Sequence, residues 1–204
     1  TDILMRRVRD DVGATYKDRP RLRLAFNLFA GHLGNAKIVD DVKRIFDSGP
    51  VATSQLILEV TERAPLPDLG EARRVIGMLQ SLGIKVAIDD VGTGHGGLSY
   101  LMKLGVDIIK IDKMFIDAIG TERYSQTIIE TLVDLGRTMN IEVIAEGVES
   151  FEQVEYLRLK GVHEAQGYVF APPLPASSYL ALVEAMERPK LSVVQTTTLM
   201  AASA

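Results

Sequence analysis

The chain has 204 residues, 47% of them hydrophobic and 25% charged, with a formal net charge of −4 and no cysteine. These values describe an ordinary globular domain and exclude disulfides, thiolate metal sites and a basic field for a nucleic-acid polymer. No apolar run approaches the roughly 20 residues needed to cross a bilayer, so no membrane segment is expected and the cytoplasm is the expected compartment.

The first residues, TDILMRRVRDD, read as an amphipathic helix with no strand before it. Short apolar runs then alternate with segments of helical period. In chain order these are strand Leu22–Leu28, helix Asn35–Asp47, strand Leu56–Thr61, helix Glu71–Leu82, strand Val86–Val91 and helix Leu98–Leu104. Strand Asp107–Ile111, helix Ser125–Met139, strand Glu142–Val148, helix Phe151–Leu159, strand Glu164–Val169 and helix Ser178–Met186 follow. Glycines 49, 83, 105 and 161 punctuate helix ends.

Six strand-then-helix repeats predict an α/β fold with parallel strands covered by helices. A closed (β/α) barrel typically needs about 250 residues and eight strands. Six units fit either an open sheet or a barrel lacking its first two strands, and the helical start favours the second. The expected organisation is one domain over residues 1–191 and a polar tail over residues 192–204. Two unpaired sheet edges are expected with it. Met78, Met102, Met114 and Met139 read as core filler.

Polar residues fall late in nearly every strand: Asn27, Glu59, Asp89, Lys110, Glu146 and Gln166. Parallel α/β folds bind their ligands at that end of the sheet. Lys110 interrupts the apolar run IIKI, so it must pair with a carboxylate or lose its charge. For Lys110 alone a structural salt bridge explains this equally well, but a core does not accumulate six such residues. Asn27, Glu59, Asp89, Asp90 and Glu146 offer only oxygen, the donor type of hard divalent ions such as Mg²⁺ or Mn²⁺. Two such ions activate water and stabilise a leaving oxygen in phosphodiester cleavage. Gly92-x-Gly94-x-x-Gly97 matches a dinucleotide fingerprint, with Asp112 about 20 residues on. Asp89 and Asp90 directly before it would repel a pyrophosphate, so these glycines read as loop.

The runs LAFNL, LEVTE, AIDDVGTG, IKID, AEGVE and AQGYVF stand in this order along the chain. With them the sequence resembles the EAL-domain family of cyclic-di-GMP phosphodiesterases over about residues 1–186. The resemblance implies a (β/α) TIM-like barrel with a two-metal site, and hydrolysis of cyclic di-GMP to the linear dinucleotide in bacterial second-messenger signalling. Position by position, Asn27, Glu59, Asp89 and Glu146 match family metal ligands, and Asp90 matches a second-metal ligand that helps activate water. Lys110 matches the lysine contacting the catalytic water. Gln166 matches a residue near that water and the ligand, and Glu149 lies at the substrate-side rim. Glu62 matches the glutamate bracing the loop after Asp89–Asp90, a loop the family also uses in dimer contacts, so a homodimer is expected.

Four features depart from the family pattern. The glutamate-alanine-leucine motif, whose glutamate is a metal ligand, is not in this chain. The loop reads VGTGHGGLS, with Val91, His95, Gly96 and Gly97 where bulkier or hydroxylated residues are usual, and Ala171–Pro172–Pro173 lacks the usual basic residue. Phe29 also replaces a common serine just after the asparagine. These departures keep open an alternative class of function, a non-catalytic receptor that binds cyclic di-GMP or a protein partner.

Overall fold

Strand β1 (Leu24–Asn27) follows helix α1 (Asp2–Tyr16) and is the first of six parallel strands. After it come α2 (Lys37–Phe46), β2 (Leu56–Thr61), α3 (Leu69–Gln80), β3 (Lys85–Val91), α4 (Gly97–Leu104), β4 (Ile108–Ile111) and α5 (Lys113–Asp117). Then α6 (Arg123–Met139), β5 (Glu142–Ala145), α7 (Phe151–Lys160) and β6 (Glu164–Ala165) complete the first compact unit, residues 1–173. The computed structural model describes residues 2–47, 49–62, 66, 68–92, 97–162 and 164–187. A second unit begins at Leu174 and contains helix α8 (Ala176–Glu187). The expected division at residue 191, the tail after it, and His95 and His163 lie outside the described residues.

The strands pair in sequence order, β1 to β6, every pair parallel. Among the described residues β1 and β6 are the two edges, as expected for six units of a barrel. Helices of the first unit present apolar stripes. In α2 the stripe is Ile38, Val39, Val42, Ile45 and Phe46, the spacing that keeps residues on one helical face. These stripes pack on the outer face of the sheet and form the main core, with Leu56, Leu58, Val86, Ile88, Ile109 and Ile111 supplying the strand side. A second, smaller cluster of Ile57, Ala87 and Ile108, with Ile144 against it, fills the inner face.

The inner face is curled. Arg23, just before β1, places Nη1 2.9 Å from Glu142 Oε2 at the start of β5. Four strand spacings of a flat sheet measure roughly 19 Å, more than those two side chains can bridge. Lys85, at the start of β3, also hydrogen-bonds Glu142. The interior is therefore layered as in a (β/α) barrel: charged residues at the strand starts, apolar residues midway, acids at the strand ends.

Burial works against the Glu142 carboxylate, but hydrogen bonds from Lys85 and Arg23 outweigh it and lower its pKa. A depressed pKa contributes stability above the unfolded value, about 4.3, that is lost as pH falls through the folded value. Glu142→Gln is expected to destabilise the fold by under about 1 kcal/mol at pH 7, because the side chain is more than a third exposed and solvent screens it. Melting curves check it: the gap between wild type and variant should close at acid pH.

The strand and helix positions agree with the sequence reading to within a few residues, with three differences. Strands β5 and β6 stop at Ala145 and Ala165, short of the expected Val148 and Val169. Helix α5, capped by the Asp112 side chain accepting from the Met114 N–H, was not anticipated. Met102 and Met114 are 52% and 57% exposed rather than core, while Met78 and Met139 do pack against it.

Candidate active site

The strand order and register bring the acids together around Lys110. Its side chain rises from β4, where all four residues are buried, and Lys110 itself is only 4% exposed. The ammonium lies 2.8 Å from Glu59 Oε1 on β2 and 3.3 Å from Asp89 Oδ1 on β3, and it contacts Glu146 just beyond β5. Burial opposes its charge, yet the hydrogen bonds of Glu146 and Glu59 prevail, so the Lys110 pKa is raised and the group stays an ammonium. Burial and the neighbouring charges of Asp89 and Glu59 push the Glu146 carboxyl above its ordinary value, against the pull of Lys110.

Adjacent residues of a regular strand point to opposite faces, so Asp89 and Asp90 would not both reach one site. The pairing of β3 with β4 shifts register between Ile88 and Val91. Asp90 there adopts a left-handed backbone, φ 58°, and its N–H donates to Asp89 Oδ1 at 3.1 Å. Asp tolerates that conformation better than most residues, and a bulge re-aims the side chains it carries. Carboxylate oxygens of Asp89, Asp90 and Glu146 consequently lie within 4.8 Å of one another.

Gln166 follows β6 and donates from Nε2 to Glu146 Oε1 at 2.7 Å. Gly167 permits this placement: a Cβ there would fall 2.1 Å from the Val148 carbonyl oxygen. That close approach lets the Val148 N–H donate to the Gln166 carbonyl at 3.0 Å, joining the segments after β5 and β6. Glu62 accepts from the Gly92 N–H at 2.9 Å, a direct tie between the end of β2 and the turn after Asp90. Residues 93–96 of that loop lie outside the described residues. Asn27 is exposed and stands opposite Glu59 in strand register. Glu149 stands apart from the acids, 3.0 Å from the Lys113 ammonium, and its N–H donates to Gln153. The sequence reading located the acids but not the bulge, whose only sequence signal is the doublet of acids itself.

Glu59, Asp89, Asp90 and Glu146 carry four negative charges and Lys110 one positive charge, so −4 + 1 leaves a formal −3. The donors are oxygens without exception, and such a cluster suits hard divalent cations. The curled parallel sheet with this acid cluster at its strand C-termini has the architecture of a (β/α)-barrel domain.

Comparison with known proteins agrees. The EAL domain family model matches residues 1–173, and the chain belongs to that family. The probable cyclic di-GMP phosphodiesterase PdeN of Escherichia coli (strain K12) is 36% identical over 159 residues, which make up 78% of this chain and 30% of PdeN. This chain thus matches less than a third of that relative's length. Among solved structures, the MucR phosphodiesterase of Pseudomonas aeruginosa in complex with cyclic di-GMP superposes with a TM-score of 0.75 and 32% identity. The match covers 87% of this chain and 71% of that one. The manganese and cyclic di-GMP complex of Klebsiella pneumoniae BlrP1 gives a TM-score of 0.64 at 31% identity, over 74% of this chain and 39% of that one. No helix among the described residues is long and apolar enough to cross a membrane.

Proposed function

We propose that this domain hydrolyses one phosphodiester bond of cyclic di-GMP to give the linear dinucleotide. The observation that carries the reading is the set of carboxylates gathered around Lys110 at the strand C-termini, in a chain of the EAL family. Asn27, Glu59, Asp89, Asp90 and Glu146 would hold two divalent ions, Mg²⁺ or Mn²⁺. When bound, such ions supply a hydroxide source at neutral pH and positive charge opposite the phosphodiester.

The protein's own groups do the rest. Asp90 accepts the proton of the attacking water. Lys110, fixed by Glu59 and Glu146, donates a hydrogen bond to that water and orients its lone pair toward phosphorus. The water oxygen bonds to phosphorus as a P–O ester bond breaks; the departing oxygen takes a proton from solvent and leaves as a hydroxyl, and Asp90 returns the proton it accepted to solvent. Gln166 holds Glu146 in orientation through the 2.7 Å hydrogen bond. Glu149 borders the substrate side, and Glu62 keeps the Asp89–Asp90 turn in place through Gly92. The protein would act in the cytoplasm, as a homodimer; a light-scattering mass of one copy would overturn the dimer.

The test is incubation of the protein with cyclic di-GMP and Mn²⁺, with products separated by chromatography. The linear dinucleotide is the expected product, and chelation of the ion should abolish it. Cyclic di-GMP that is bound but recovered intact would replace hydrolysis with a receptor function. Absence of both binding and product would overturn the ligand assignment itself.

A further inference from the structure

We propose that Phe29 is the platform on which a guanine base of the substrate stacks, an inference that rests on the cyclic di-GMP reading above. Along β1 and beyond it, burial alternates: Phe26, Leu28 and Ala30 are buried against the helices, while Ala25, Asn27 and Phe29 are exposed. The backbone stays extended through Phe29 (φ −62°, ψ 125°). Phe29 therefore continues the face that carries Asn27, roughly 7 Å further along the strand direction. Asn27 pairs in register with Glu59, and Glu59 holds Lys110, so the ring stands just past the rim of the acid cluster.

A lone exposed aromatic is ordinary; this one is also held. The Phe29 ring is 71% exposed, yet it meets the His32 ring edge-on at 5.9 Å and 89°. It also lies over Gly31, where a Cβ would fall 2.4 Å from Phe29 Cε1. One side of the ring is thus backed by the turn, and the ordering cost of stacking is largely met before a ligand arrives. The core does not need this ring, because Leu28, Ala30 and Leu33 fill the space beneath the turn.

The chemistry of the ligand supplies the complement. Cations held by the carboxylates, together with the ammonium, would serve the phosphates of a cyclic dinucleotide but offer nothing to the flat apolar faces of its bases. Base stacking on an aromatic side chain changes affinity by about 5- to 150-fold when the ring is removed, and it works for any base because every base has a π-face.

The chain contains no tryptophan, which makes Phe29→Trp a site-specific reporter. Phe29→Ser, Phe29→Trp and wild type would be compared for KM and kcat with Mn²⁺, and for binding of cyclic di-GMP with Ca²⁺. Phe29→Ser should raise KM and Kd about tenfold or more with most of the change outside kcat, since the contact is present in ground and transition states alike. Phe29→Trp should bind as wild type, and its emission should be quenched on saturation with cyclic di-GMP. Unchanged KM and Kd in Phe29→Ser, or unquenched emission in a Phe29→Trp protein that binds, would overturn the stacking while the ligand assignment stands. Wild type that binds no cyclic di-GMP would overturn both.

Discussion

Asp89→Asn is expected to lower the rate of cyclic di-GMP hydrolysis by about three orders of magnitude with little loss of folded stability. Asp89 sits where β3 ends, and its carboxylate is one of three whose oxygens lie within 4.8 Å of one another. Removing its charge takes a strong donor from the hard cations the site is suited to hold. Electrostatic assistance of that kind supplies several kcal/mol of transition-state stabilisation, and about 4 kcal/mol corresponds to a factor near 10³. The fold bears the change because Asp89 is the most distant of the three partners of Lys110. Glu59 at 2.8 Å and Glu146 still satisfy the ammonium, and one of several mutually repelling carboxylates has gone. Circular-dichroism melts and single-turnover hydrolysis, run on the same preparation, separate the two effects. Wild-type activity in the variant would remove Asp89 from the ion site. A melting point lower by more than about 5 °C would show that its role is structural as well.

The sequence located most of the fold for a physical reason. Strands of a parallel sheet covered on one face by helices and curled around their own side chains on the other read as apolar runs, such as Ile108–Ile111 with Lys110 as its only break. The ends were harder. Beyond Ala145 and Ala165 the side chains still alternate like those of a strand, but Gly147 and Gly167 turn the backbone out of the ladder. Helix α5 has five residues, too few for any periodicity, and its only sequence signal was Asp112 as a cap. The acids of the site and their gathering at one end of the sheet were legible because each falls at or just past a strand end; how Asp90 joins Asp89 there was not. That depends on a bulge at Asp90 that strand alternation alone would not predict. Met102 and Met114 show the converse error, since helical spacing marks a face without saying whether anything covers it.

Lys110→Met is expected to cost about 3 kcal/mol in the metal-free protein at pH 7, to abolish measurable turnover, and to make stability strongly dependent on added Mn²⁺. Methionine fills a similar volume, so packing changes little. What is lost is the single cation at the centre of Glu59, Asp89 and Glu146, each side chain less than a fifth exposed. Breaking a buried ion pair by deleting one partner costs about 3–5 kcal/mol because the remaining charge is left uncompensated. Partial access of water places this case at the low end, a melting point lower by roughly 6–12 °C in a chain of this size.

Two dependences follow from the same charges. Without the ammonium nothing opposes the burial and the neighbouring charges that already raise the Glu146 carboxyl, so it stands further above its unfolded value. Groups raised in the fold contribute stability below the unfolded value, near 4, and lose it as pH rises through the folded value. The variant should therefore recover toward wild type as pH falls from 7 to 5. A divalent ion does by binding what a proton does at low pH, so Mn²⁺ should raise the melting point of Lys110→Met more than that of wild type. Equal stabilisation of the two proteins by Mn²⁺, together with equal melting points without it, would mean that Lys110 does not balance the charge of these acids. A larger gain for the variant would mean that the ammonium and the metal compensate the same negative charge, the lysine standing in its centre whenever the ion is absent.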